Sequence, residues 1–294
     1  MLFRRNLFEK SASVWMISGL SLLLMMPVII GIALYIKSTP LMEQQSPFSL
    51  LFSSDWFPTR GKFGFWPFIA SSIYVTFLSF LFAAPVCLFS AIHLTQFASK
   101  KLVRFMQPVL DILAGLPSVI YGVWGILIVV PLISYLFAPL FRMSSSGYTL
   151  LAGGVVLAIM CIPYMLNMLI EVFSTVPIGM KEASLSLGAT EWQSVKHVVL
   201  RKSFPGIISA FGLSVAKAFG ETIAVMMVVG NQVRLTWNPF DAGYPLPALI
   251  ANNYGEMLSI PMYDSALMFA ALVLLVVILL INLIFRYLIQ LVEK

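Results

Sequence analysis

Between two long apolar runs, residues 150–173 and 207–230, stands the stretch STVPIGMKEASLSLGATEWQSVKHVVLRKSFP, residues 174–205. It carries Lys181, Lys196, Arg201 and Lys202, so it lies outside the hydrocarbon that its neighbours are built to cross. Its own pattern reads as two short helices with a hinge. Met180, Ala183 or Ser184, and Leu187 recur at helical spacing and give the first helix a small apolar face. Gly188 stands where a left-handed residue closes such a helix. Thr190 followed three residues later by Gln193 makes a capping box that opens the second helix, on which Trp192, Val195 and Val199 share a face. Pro205 is placed to start the next apolar run, where its missing N–H costs little. An apolar face outside the membrane needs cover, and two covers remain open: the bilayer surface or another protein.

The rest of the chain sets this loop in a membrane. Of 294 residues 60% are hydrophobic and 10% charged, against about 45–50% and 25% in soluble domains. That excludes a water-soluble globule, and the long unbroken runs exclude a barrel, whose strands alternate every second residue. Six runs reach the roughly 20 residues a helix needs to span hydrocarbon: 14–36, 68–92, 109–137, 150–173, 207–230 and 265–292. The fold class is therefore all-α and polytopic, a single transmembrane domain over residues 1–294. The first run is too long for a signal peptide and lacks a small-residue cleavage site.

Basic residues orient the spans. With both termini on one side, that side holds twelve: Arg4, Arg5, Lys10, Lys100, Lys101, Arg104, Lys181, Lys196, Arg201, Lys202, Arg286 and Lys294. Five lie opposite (Lys37, Arg60, Lys62, Arg142 and Arg234), and Lys217 falls within a span. The positive-inside rule then predicts cytoplasmic termini and makes 174–205 a cytoplasmic loop. Loops 37–67 and 231–264 become periplasmic, as simple connectors, packed caps or a dock for an external partner. The cations flank the spans, which argues for lipid rather than nucleic acid as the surrounding. Cys87 and Cys161 sit inside apolar runs and read as packing residues. His93 and His197 are too isolated for a metal site, and no internal repeat is visible.

Glu182, Ala183 and Gly188, with Pro205 further on, resemble the E-A-A…G loop of ABC-importer permeases, with Ser184 in place of the second alanine. The resemblance implies a coupling loop, residues 174–205, in which Glu182, Ala183, Ser184, Leu187 and Gly188 engage a separate ATPase. In keeping with that, the chain has no G-x-x-x-x-G-K-[ST] phosphate loop.

Lys217 and Glu221 lie deep in the fifth run, where each ionised group costs about 2.5–3.5 kcal/mol on insertion scales. Four residues apart on one helix they would share a face and partly neutralise each other. Either they lock the bundle as a salt bridge or they line a polar pathway. Gly212, Ala216, Gly220 and Ala224 form a ridge of small residues that lets a neighbouring helix, or a second subunit, approach closely.

The segment AKAFGETIAVMMVVGN, 216–231, is similar to phosphate ABC-transporter permeases of the PstC type, as is LAGLPSVIYG, 113–122. Lys217 stands where that family usually has Arg, a point charge in place of a planar fork. The resemblance implies the type I ABC importer permease fold and a substrate pathway for inorganic phosphate through Lys217, Glu221 and Thr222. It also implies residence in the bacterial inner membrane. Implied partners are a homologous PstA-like permease, a PstB-like ATPase dimer that binds ATP and Mg, and a periplasmic PstS-like phosphate-binding protein. This chain is then a transport subunit that holds no cofactor and is not itself an enzyme.

Pro117 should break or kink span three, where Ser118 and Tyr121 either pack the kink or present hydroxyls to the pathway. Asn167 in span four reads as an interhelical hydrogen bond or a pathway group, and Asp111 as solvated or paired with Arg104 or Lys101. Two other classes stay open. A secondary transporter or channel for an anion would also use Lys217 and Glu221, but not the two-helix loop. A membrane enzyme would need a catalytic cluster, and no such grouping is specified by spacing.

Overall fold

A computed structural model describes residues 2–256 and 259–293, with side chains from residue 13 to 292. Lys294 and residues 257–258 of the loop 231–264 lie outside the described residues, and the side chains of Arg4, Arg5 and Lys10 are likewise not described. Among the described residues, six helices are long and apolar enough to cross a membrane.

In chain order, α1 (Leu2–Gln44) leads through the short α2 (Pro47–Phe52) and a hairpin, β1 (Trp56–Phe57) and β2 (Lys62–Phe63), to α3 (Trp66–Gln96). Then follow α4 (Lys100–Gly115), α5 (Ser118–Leu140), α6 (Leu150–Ser174) and α7 (Ile178–Ser186). After α8 (Glu191–Phe219) come α9 (Ile223–Met226), α10 (Leu246–Asn253) and α11 (Tyr263–Glu293). Helix starts are written in the sequence: Ser99 Oγ accepts from Leu102 N to open α4, and Thr149 Oγ1 accepts from Ala152 N to open α6.

Three expected spans are redrawn. The first helix runs on to Gln44, well past residue 36. Span three is two helices, since the chain between Gly115 and Ser118 is extended at Leu116 and Pro117. Proline's missing donor and ring make that break, and Tyr121 Oη repairs part of it by donating to the Leu113 carbonyl at 2.7 Å. Within α5 the turns before Pro131 and Pro139 widen, with Val130 N donating to Gly125 O and Ala138 N to Ile133 O. The extra residue per turn moves each proline ring away from the carbonyl it would strike.

Span five differs most. The second loop helix is not separate, because α8 runs unbroken from Glu191 through Pro205 to Phe219. The carbonyl that Pro205 leaves without a donor belongs to Arg201, an exposed residue.

α3 and α6 form the central pair, packed where Gly153 and Gly154 let the helices close on Val75 and Leu78. At the end carrying α7, one core joins Ala83, Cys87, Leu110, Met165, Val195 and Ile207. At the other end the loops fold into a cap. There Trp56 meets Phe63, Phe65, Phe68 and Tyr263 edge-on. Ser71 and Ser72 hydroxyls accept from Tyr244 N and Leu246 N, pinning the loop after span five onto α3. The outer loops thus pack as caps and are more than simple connectors. The small-residue ridge also finds its neighbour within the chain: Gly212 faces Phe285 of α11, and Gly220 faces Ile278.

Candidate functional site

The helical geometry that would pair Lys217 with Glu221 ends before the pair is complete. α8 stops at Phe219, and the chain closes over itself with Gly220 N donating to Lys217 O and Glu221 N to Ala218 O, both at 3.2 Å. Thr222 Oγ1 donates to the Gly220 carbonyl at 3.3 Å, and α9 starts at Ile223. Glu221 then turns forward, its Oε1 accepting from Ala224 N at 3.4 Å. Among the described residues no ion pair joins Glu221 to Lys217, and the ion pairs are Lys62–Asp55 and Arg234–Asp241 on the cap side. The same-face expectation fails because four-residue spacing means proximity only while the helix lasts.

Lys217 instead lies over an aromatic ring, its Nζ 4.1 Å from the centroid of Tyr164 on α6. The quadrupole of the ring attracts a cation there without neutralising it. Lys217 remains exposed on the surface of the single chain. It is about 22 Å along α8 from Lys202, counting 15 residues at 1.5 Å each, deep in the span. Tyr164 was not singled out from the sequence, although it and Asn167 stand three apart on one face of span four, the signal that would have found it.

One turn along, Asn167 donates from Nδ2 to Asp111 Oδ1 of α4 at 3.4 Å, while its Oδ1 is buried without a partner. Asp111 is thus bound to Asn167 and not to Arg104 or Lys101. Tyr121 is buried and spends its hydroxyl on the helix break, as the packing reading required, whereas Ser118 opens α5 half-buried.

The two interruptions are neighbours. Gly122, in the second turn of α5, lies so close to α9 that a Cβ there would stand 2.5 Å from Met227 Sδ. Tyr121 and Ala224 share one apolar cluster. Broken helices inside a membrane are tolerated only where protein or a watery cavity satisfies the freed backbone, and their meeting point marks ligand sites in transporters. Lys217 precedes the second interruption by three residues, near the end of α8.

The second candidate site is α7. Gly188 adopts φ +85°, with Gly188 N donating to Leu185 O and Ala189 N to Ser184 O, the closing motif expected. The capping box is present: Thr190 Oγ1 accepts from Gln193 N and Gln193 Oε1 from Thr190 N. Lys181 ties one face of α7 to the bundle, its Nζ donating to Gln96 Oε1 at 3.3 Å. The opposite face is open: Glu182 and Ala183 are exposed and Leu187 is 90% exposed. Among the described residues no group of His, Cys, Asp and Glu is arranged to hold a metal.

Residues 83–294 match the family described as the binding-protein-dependent transport system inner membrane component. A probable ABC transporter permease of Bacillus subtilis, YqgH, is 38% identical over 83% of this chain and 78% of its own. The phosphate transport system permease PstC of Xylella fastidiosa is 36% identical over 78% of this chain and 74% of its own. In fold, the chain superposes on a chain of a bacterial ABC transporter involved in the import of the acidic polysaccharide alginate. That match has a TM-score of 0.64, covers 98% of this chain and 100% of the other, and has 16% identity. The architecture is that of type I ABC importer permeases, and the chain belongs to the family of binding-protein-dependent inner membrane transport components.

Proposed function

We propose that this chain is the PstC-type permease of an ATP-driven importer of inorganic phosphate, oriented with both termini and α7 in the cytoplasm. The observation that carries the transport reading is Lys217, a cation held over a ring but not neutralised, deep in the span where two broken helices meet. The phosphate reading is supported by the names of relatives such as the Xylella fastidiosa PstC. Orientation rests on the excess of basic residues at the α7 end.

Lys217 attracts the anion, Thr222 and Asn167 offer polar contacts along the route, and Ser118 lies at the break in span three. Glu221 caps α9 and opposes a second negative charge, so it acts on the route and not as a ligand. Phosphate is delivered by an external PstS-like binding protein, and the pathway is shared with a PstA-like permease. The exposed face of α7, with Glu182, Ala183, Ser184, Leu187 and Gly188, docks on a PstB-like ATPase dimer. ATP and Mg are bound there, so this chain needs no cofactor and catalyses no reaction.

The test is phosphate uptake into proteoliposomes holding the assembled complex. Uptake should require ATP and be lost in a Lys217→Gln variant. Uptake driven by a proton gradient without ATP would instead identify a secondary transporter or channel.

A further inference from the structure

A cavity of about 650 Å³ opens at the α7 end of the bundle, between the last turn of α3, the first half of α4, the end of α6 and α7. Three cations line it, Lys100, Arg104 and Lys181, with Gln96 and Gln107 beside them and no carboxylate among the lining residues. Its remaining wall is mainly apolar, including Val103, Met106, Leu110 and Phe173. Immediately outside, α4 exposes Leu102 and Phe105 next to Lys100, Lys101 and Arg104.

This combination selects its occupant. A free anion gains from the three cations but nothing from the apolar wall. A docked protein is better served by the exposed face of α7, which points away from Lys181 and the cavity. A molecule with an anionic head and apolar tails uses both halves, and basic pockets between spans at the cytoplasmic surface bind such lipid heads. We propose that this cavity seats the headgroup of an anionic phospholipid of the cytoplasmic leaflet, its chains leaving along Leu102 and Phe105. The lipid bridges α4 to α7 through Arg104 and Lys181, tying the inner half of span three to the coupling helix. The inference rests on the proposed function for its orientation and for the complex in which it is tested.

The complete transporter complex is titrated with phosphatidylglycerol, phosphatidylcholine or inorganic phosphate and read by native mass spectrometry. The expected result is tight retention of one phosphatidylglycerol per copy of this chain, with phosphatidylcholine and phosphate ineffective. Each basic residue near an anionic surface is worth roughly fivefold in affinity, so a Lys100→Gln, Arg104→Gln double variant should lose about thirtyfold. Met106→Trp, which fills the cavity and changes no charge, should lose the lipid too, whereas Lys202→Gln with Arg286→Gln should not. The proposal is overturned if neither cavity variant weakens retention, if the control pair weakens it equally, or if phosphatidylcholine binds as well. Competition by inorganic phosphate, or no retention in the complex because the ATPase fills the cavity, overturns it as well. Orientation is checked separately by labelling a Lys100→Cys variant with an impermeant maleimide, which should react only from the cytoplasmic side.

Discussion

Removing the charge of Lys217 tests both what the lysine does and what Tyr164 does for it. At about 6 Å and an effective dielectric of about 20, a unit positive charge attracts a monoanion by about 3 kcal/mol. Lys217→Gln should therefore lower kcat/KM for phosphate uptake roughly a hundredfold, while Lys217→Arg, which keeps the charge and adds a planar fork, should retain it. Tyr164→Leu removes the ring 4.1 Å from Nζ, a contact worth about 0.5–1 kcal/mol when wet and about 2 when dry. Its loss should cost uptake about three- to thirtyfold by letting the ammonium wander. The assay is initial-rate uptake of radiolabelled phosphate into proteoliposomes with ATP, for both single variants and the double. If the lysine acts on the anion and the ring only positions the lysine, Tyr164→Leu should add nothing once Lys217 is Gln. Uptake by Lys217→Gln within twofold of the parent would refute the argument. So would a double variant in which the two losses simply add.

Other substitutions report on the framework. Gly188→Ala places a side chain at φ +85° with open space around it, so the cost is backbone strain of about 1 kcal/mol. It should loosen coupling, seen as ATPase activity that no longer rises with phosphate-loaded binding protein. Gly154→Ala drives a Cβ to 2.7 Å from Leu78 Cβ between α3 and α6. Overpacking of that kind costs about 1–3 kcal/mol and should lower the Tm of the purified complex. Thr190→Ala removes the capping oxygen of α8 and should cost about 1 kcal/mol, visible as faster amide exchange confined to residues 190–194. Asn167→Leu deletes the bond to Asp111 and should slow uptake while leaving the ATP requirement intact.

What could be read from the sequence followed from strong constraints. Hydrocarbon demands about 20 apolar residues per span, so six spans were visible. Gly188 and the Thr190–Gln193 box were visible because only certain residues close or open a helix there. Pro117 announced its break by the donor it lacks. The interruption at 220–222 was hidden because Gly-Glu-Thr contains no proline, and Gly220 fits equally well into a ridge of small residues. On a continuous α8 the spacing of Lys217 and Glu221 puts them on one face, a proximity that the chain turn after Phe219 prevents. Tyr164 was hidden for another reason. An aromatic face in an apolar run carries no charge, so nothing in its composition marks it as the partner of a cation.

The broken helix also accounts for why this polar site is found on the surface of the chain. Lys217 on α8 and Asp111 on α4, just before the third span, are both exposed, one held by a ring and the other by an amide. Facing lipid, the Lys217 charge alone would cost about 2.5–3.5 kcal/mol on insertion scales, a large fraction of the stability of a typical domain. Had α8 continued and brought Glu221 beside Lys217, mutual neutralisation would have reduced that cost and left little field for an anion. Ending the helix at Phe219 keeps the cation available and makes its exposure tolerable only against water or a second polar surface. The two-permease assembly proposed above supplies that surface, so the helix break at residues 220–222 and the need for a partner follow from the same electrostatic argument.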